Sequence, residues 1–366
     1  MKRRLLCAVL SLSLLLTGCA SLLERDYVSI TPHNANLTAE GDPSVLRAES
    51  YQELVNALIF FINLGTESGS IRLYLDAEDV EADVEAACLE VIQEDPLGAY
   101  AVEHIKYTID SVVTYYEADI QITYRRTREQ VASIVSATGT TAIRSELEHT
   151  LERFDPEQVL RISYFDGDET YIRTIFQEAY YATPASALDL PEIDVTLYPE
   201  TGRQRIVEIL LTYHLEPQEL ERRREQLLLL SEELTAPLLF LNEEQQLLSA
   251  AETILSSCVY DPQGGSTAYH ALVEGQSDSL GLALAAVLLC GQLDREAKVV
   301  SGSLDGHPHF WTVVSTESGW RHLDLSRSGE DGVLLQSDLD LESMGYSWNR
   351  EAVPACTVPE ENVTPE

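Results

Sequence analysis

Three side chains in the last third of the chain have the types needed to open an acyl bond: Ser279, His309 and Asp324. A serine hydroxyl attacks a carbonyl only when a base takes its proton, and the base works best when a third group holds its ring. With Ser279 as nucleophile, His309 as base and Asp324 as orienter, the chemistry is acyl transfer or amide and peptide hydrolysis. Plainer roles compete. Ser277-Asp278-Ser279 stands before an apolar run, and such residues cap helices without any catalysis. His309 bonded to Asp324 could serve packing alone. His307 and His309 lack a third metal ligand at a standard spacing. Glu274 and Asp278 are two acids among many in an acidic chain.

The elements that must position these residues are readable. Residues 247–257 have the periodicity of an amphipathic helix and lead through Val259-Tyr260-Asp261 to a glycine-rich loop, residues 262–265. A second, apolar helix starts near Ser279 and runs through Leu288-Leu289-Cys290-Gly291. Residues 299–302, 309–314 and 320–325 read as strands. Ser279 therefore opens a helix, and His309 and Asp324 follow on strands.

These motifs resemble the transglutaminase-like superfamily, a papain-like thiol fold. Its segment A-Y-x-A-L-x-x-G-x-x-x-C-x-G-x-A is matched here by Ala268-Tyr269, Ala271-Leu272, Gly275, Gly281 and Ala283. Its H-A-W-N-x-V and W-x-x-x-D are matched by His309, Trp311, Val313 or Val314, Trp320 and Asp324. Gly345-Tyr346-Ser347-Trp348 and Pro354-Ala355-Cys356 are similar to the close of clostridial surface members. The resemblance covers roughly a third of the chain and implies a family triad at Ser279, His309 and Asp324. The family's cysteine position is held by Ser279, its asparagine by Thr312, and Leu325-Ser326-Arg327 stands where Thr-Trp often follows the aspartate. A thiol near pKa 8.5 can be brought to about 3.5–7.5 by a helix N-terminus and an imidazolium, whereas a hydroxyl ionises far less readily. The exchange of sulfur for oxygen implies a pseudoenzyme that keeps a cleft for peptide or cell-wall material. An active Ser279-His309-Asp324 hydrolase or acyl transferase is the alternative, and a structural surface spacer is the third reading.

Charge narrows the partners. The chain has 366 residues with 24 Lys+Arg against 61 Asp+Glu, a net charge of −37. That excludes unaided binding to nucleic-acid phosphates or anionic lipid, which needs clustered cations. At 45% hydrophobic and 23% charged residues, the body can bury real cores. At the N-terminus, Lys2-Arg3-Arg4 precedes an apolar run from Leu5 to Leu16 that is too short to span a bilayer comfortably. Leu16-Thr17-Gly18-Cys19 resembles a bacterial lipobox, which implies lipidation at Cys19 and an anchor of acyl chains on the outer face of the cell membrane. Of the other cysteines, Cys7 leaves with the signal. Cys88 and Cys290 sit in apolar helical patterns and read as buried thiols, and Cys258 with Cys356 is the one pair worth considering for a disulfide.

Between the two ends lies a repeat. Ile71-Arg72-Leu73-Tyr74 is similar to Leu160-Arg161-Ile162-Ser163-Tyr164, and Ile120-Gln121-Ile122-Thr123-Tyr124 to Ile209-Leu210-Leu211-Thr212-Tyr213. Tyr74 to Tyr124 is 50 positions and Tyr164 to Tyr213 is 49. Helical patterns at 51–64 and 142–154 precede the first strand of each copy, and others at 80–94 and 170–181 follow it. Each copy reads helix–strand–helix–strand–strand, so the spacing predicts two tandem α+β domains of about 90 residues. Their tyrosines read as strand packing, and Asp76, Glu78 and Asp79 as a solvated helix start. A helix from about Glu216, with Pro217 in its first turn, hands over to the last domain.

The expected fold class is α+β: two duplicated small α+β domains followed by a papain-like, transglutaminase-like α+β domain. The expected boundaries are a signal peptide at 1–18, a tether at 19–48, repeats at 49–130 and 131–216, a connecting helix at 217–242 and the last domain at 243–366. No cofactor, metal or nucleic acid is expected.

Overall fold

Local capping chemistry sets where the first helices begin. Ser50 accepts from the Glu53 amide to start α1 (Tyr51–Leu64), and Asp79 accepts from the Ala82 amide to start α2 (Val80–Glu94). Around them run β1 (Val45–Ala48), β2 (Ser68–Leu73), α3 (Pro96–Ala101), β3 (Val102–Val112), β4 (Tyr115–Tyr124) and α4 (Arg128–Ala132). In this computed structural model the described residues are 43–76, 79–327 and 335–357. The signal peptide, Cys19 and all but the end of the tether lie outside them. Residues 45–48, expected as tether, form β1, which runs parallel to β2. Two buried apolar residues in four, Leu46 and Ala48, are too short a pattern to register as a strand in a polar stretch.

The first sheet has strand order β1-β2-β4-β3. Leu54, Leu58 and Phe61 of α1 join Ile71, Leu73, Ile120 and Ile122 of the sheet in one buried apolar cluster. The second run of elements is β5 (Val135–Ala137), α5 (Thr140–Arg153), β6 (Glu157–Ile162), α6 (Glu169–Ala182), β7 (Glu192–Tyr198) and β8 (Arg205–Thr212). Its sheet has order β5-β6-β8-β7, the same as the first, again opening with a parallel pair. The look-alike motifs fall at matching places, at the ends of β2 and β6 and of β4 and β8. The two runs thus share one strand order, with one leading strand per copy beyond what the sequence disclosed. The chain forms two compact units. Among the described residues, one comprises those up to Gly139 with Val159–Asp166 and Leu197–Val207, and the other Thr140–Gln158, Gly167–Thr196 and those from Glu208 onward.

The second unit carries the last elements. These are α7 (Pro217–Thr235), α8 (Glu243–Ser257), β9 (Val259–Gly265), β10 (Gln276–Ser277), α9 (Ser279–Gln292), β11 (Ala297–Leu304), β12 (His307–Thr316), β13 (Gly319–Leu323), α10 (Asp338–Ser343) and β14 (Tyr346–Trp348). Eleven of the fourteen residues of α9 are buried, which makes it a central helix rather than a surface one. It packs on an antiparallel sheet of order β13-β12-β11-β14. Residues 262–265, expected as a loop, complete β9, which pairs with β10. A Cβ on Gly264 would stand 2.8 Å from the Ser277 carbonyl carbon, so only glycine lets the two backbones come this close.

All four cysteines among the described residues are free and buried. The pair considered from sequence does not form: the Cys258 thiol donates to the Val259 carbonyl and the Cys356 thiol to the Pro354 carbonyl. Burial pushes the thiols of Cys88, Cys290 and Cys356 up to about 12, so none is a thiolate at neutral pH.

Candidate active site

The start of α9 is capped by Asp278, whose Oδ1 accepts from the Gly281 amide at 2.9 Å. Asp278 also takes a hydrogen bond from the Ser266 hydroxyl through Oδ2. This corrects the capping role considered for Ser279, which is the first helical residue and leaves its hydroxyl free for other work. Ser279 is buried, and its Oγ accepts from the backbone amide of Phe310 on β12 at 3.3 Å. That contact places the hydroxyl beside the backbone of His309. Among the described residues no hydrogen bond joins Ser279 Oγ to the His309 ring.

His309 and Asp324 are brought together by the hairpin of β12 and β13. His309 Nε2 lies 2.7 Å from Asp324 Oδ2, and both side chains are buried. The imidazole therefore donates from Nε2 and leaves Nδ1 as its second face. Oδ2 also accepts from the Tyr346 hydroxyl at 2.6 Å, while Oδ1 accepts from the amide and hydroxyl of Ser326 at 2.9 and 2.7 Å. Burial alone would raise the Asp324 carboxyl. The hydrogen bond and charge of His309, with Tyr346 and Ser326, outweigh burial and hold it below the usual range. This is a carboxylate kept ionised to receive a proton-bearing ring, the arrangement an orienting aspartate needs.

The neighbours fix the frame. Thr312 donates to the Ala283 carbonyl at 3.3 Å and ties β12 to α9. The Phe310 ring meets Tyr181 edge-on at 6.1 Å. His307 is exposed, and His309 already donates to Asp324, so the two histidines share no ligand set. Glu274 approaches Arg223 and His270 at 4.0 and 3.8 Å, while Asp278 caps α9, so these carboxylates have separate partners.

Sequence reasoning missed a second cluster behind the pair. The donor atoms of His322, Asp338 and Cys356 lie within 4.8 Å of one another. Three ligands of these types suit zinc by chemistry. The hydrogen bonds argue otherwise. Trp311 Nε1 donates to His322 Nδ1 at 2.9 Å, which makes Nδ1 an acceptor and puts the proton on Nε2. Nε2 in turn faces Asp338 Oδ1 at 2.9 Å. A histidine that ligates a metal through Nε2 carries its proton on Nδ1 and donates it outward, the reverse of what is found. The cluster is a structural clamp: the Cys356 amide also donates to Asp338 Oδ1, and the Asp338 amide donates to the Cys356 carbonyl. No spacing rule signals it, because the three residues stand 16 and 18 positions apart.

Burial lowers the pKa of His322; the hydrogen bond and charge of Asp338 oppose that shift and Arg350 adds to it. The pH consequence follows from the sign. A histidine whose folded pKa lies below its unfolded value of about 6.5 favours the neutral form in the fold. Stability from this group is full above about pH 6.5 and falls on acidification, as the unfolded chain takes up a proton that the fold refuses. The maximum slope is about 1.4 kcal/mol per pH unit. Hydrogen exchange of β12 and β13 amides between pH 7 and 5 should show protection falling faster in wild type than in His322→Gln. Equal slopes would remove His322 from the account.

A cleft of about 510 Å³ opens at the other end of α9, lined among others by Ser186, Gln292, Arg295 and Lys298. It lies about 20 Å along the helix from Ser279, at 1.5 Å per residue. Arg295 is already paired with Glu243 at 2.7 Å, and the Lys298 ammonium sits over Trp320.

No family model and no curated protein matches the chain. Among solved structures it is similar to a candidate cysteine protease from Cytophaga hutchinsonii, at 13% identity over 43% of this chain and 66% of that one, TM-score 0.26. A structure described as a TGase aligns at 12% identity over 65% of this chain and 68% of the other, TM-score 0.26. A candidate protease from Parabacteroides distasonis aligns at 9% identity over 74% of this chain, TM-score 0.23. The chain spans under half, 45%, of that last protein's length. Likeness at this level fixes neither activity nor residue roles.

Proposed function

We propose that the C-terminal part of this chain is a transglutaminase-like domain that keeps its histidine–aspartate pair but has lost its nucleophile. It acts as a binding module for extended peptide or cell-wall material. The observation that carries the reading is the state of Ser279. Its oxygen accepts from the Phe310 amide and makes no hydrogen bond to His309, while the His309–Asp324 pair is intact and buried. A serine nucleophile must hand its proton to the base during attack, and the two need hydrogen-bond contact for that. The order of the sequence motifs supports the family assignment, and so does a buried helix that starts at Ser279 and packs on the strand bearing His309. With oxygen at this position, a chain bound beside Ser279 would be held without being cut.

The leader supports the rest of the proposal: the mature protein begins at Cys19, carries acyl chains there and sits on the outer face of the cell membrane. Metabolic palmitate label should enter the wild type and be lost in Cys19→Ala; label that persists in the variant sinks the anchor.

A fluorophosphonate probe tests the loss of catalysis. It should leave wild type and Ser279→Ala equally unlabelled. Label on wild type that vanishes in Ser279→Ala would replace the binding module with an active serine hydrolase, with His309 as base and Asp324 as orienter.

A further inference from the structure

We infer that Tyr346 is a positioning residue of the His309–Asp324 pair: its buried hydroxyl donates to the same carboxylate oxygen that receives the imidazole and so sets how much of that oxygen's charge His309 feels. The inference rests on the pair being the working part of the site, and not on whether Ser279 turns anything over.

The geometry separates this role from packing. Asp324 Oδ2 accepts from His309 Nε2 at 2.7 Å and from Tyr346 Oη at 2.6 Å. Oδ1 already has two donors from Ser326. A phenylalanine at 346 would fill the same space. The ring meets Trp311 edge-on at 5.2 Å and His309 at 5.8 Å, and neither contact uses the hydroxyl. What the hydroxyl adds is a charge-assisted donor in a buried site, where such bonds are short and strong. Burial and the Asp324 charge raise the Tyr346 phenol above its ordinary value, so it stays protonated and remains a donor. Arg327 and Asp305 act on that hydroxyl with opposite signs.

Placement is also specific. Tyr346 comes 22 positions after Asp324, on β14, whose pairing of Tyr346 with Leu304 fixes the ring over the end of β11. Two donors on one oxygen share its negative charge. Each hydrogen bond that stabilises the carboxylate leaves less for the imidazolium form of His309.

The test is a histidine-ring titration by NMR on the full chain, with the His309 signal assigned by its loss in His309→Gln. Tyr346→Phe removes only the donor, and His309 should then titrate higher by about half a unit to one unit. As a second arm, 3-fluorotyrosine placed at position 346 makes the hydroxyl a stronger donor at nearly unchanged shape and should move His309 the other way. A folded Tyr346→Phe chain in which His309 titrates as in wild type overturns the inference. If Tyr346→Phe does not fold, the fluorotyrosine arm decides, and an unmoved His309 there overturns it equally. Neither arm involves Ser279 or a ligand, so a failure here leaves the binding-module reading standing, and a positive fluorophosphonate result leaves Tyr346 where it is.

Discussion

A thiol placed at position 279 by Ser279→Cys is expected to react with iodoacetamide at pH 6 about tenfold faster than an unperturbed thiol. An ordinary thiol is about 0.3% thiolate at pH 6, whereas one brought to a pKa of about 5 is about 90% thiolate. The gain of about 300-fold in thiolate is partly offset by weaker intrinsic nucleophilicity, about 40-fold at a Brønsted slope near 0.45. Three features of the site would lower the new thiol: it sits at the first turn of α9, the Phe310 amide points at the atom, and His309 lies one residue along the strand, held by Asp324. The pH profile is the sharper readout. A poised thiol reacts at nearly the same rate from pH 6 to 8, while a free one gains about tenfold per unit below its pKa. Peptide-level mass spectrometry would separate position 279 from the other cysteines. A profile that climbs like a free thiol would mean that the pair no longer faces the nucleophile position, and the spacer reading would take over.

What the sequence disclosed was what local chemistry encodes. Residues 51–64 and 80–94 were readable end to end, because their apolar spacing lies within the segments and their caps stand next to them. The same holds for Pro217 at the start of α7. The meeting of His309 and Asp324 was foreseeable for another reason: motifs in order placed them on successive strands. The misses share a cause. β1 exists only because β2 offers it a parallel partner. The cap of α9 could have gone to any of Ser277, Asp278 and Ser279, and backbone geometry gave it to Asp278, which freed the Ser279 oxygen for Phe310. Tyr346 was visible as part of a familiar tail, yet its bond to Asp324 depends on β14 pairing with β11. Contacts set by sheet register across tens of residues leave no periodic trace in the chain.

Trp311 should prove the most costly single truncation around the site, and its loss should be felt at His322 rather than at Ser279. The indole is 1% exposed and is enclosed by His309, Tyr346, His322 and Trp348, with ring centroids 6.2, 5.2, 6.1 and 5.7 Å away. Space for it is cut from the opposite strand: a Cβ on Gly302 would stand 2.6 Å from the indole Cη2. Removing a buried tryptophan side chain costs about 3–5 kcal/mol from lost burial and the cavity left behind. Trp311→Ala also strands His322 Nδ1, which loses its donor inside a buried cluster, at about 1–3 kcal/mol. The two terms overlap, so about 5 kcal/mol is expected in all. Trp311→Phe separates them, because it keeps most of the ring and loses the N–H; about 2 kcal/mol is expected there. Because the chain has two units, the quantity to measure is local: hydrogen exchange of the β11, β12 and β13 amides, with the first sheet as an internal reference. Protection in these strands should fall steeply in Trp311→Ala, by less in Trp311→Phe, and stay unchanged in β2 and β4. A Trp311→Phe chain as labile as Trp311→Ala would assign the whole effect to the hydrogen bond. A Trp311→Ala chain within about 1 kcal/mol of wild type would mean that the aromatic cluster does not hold these strands together.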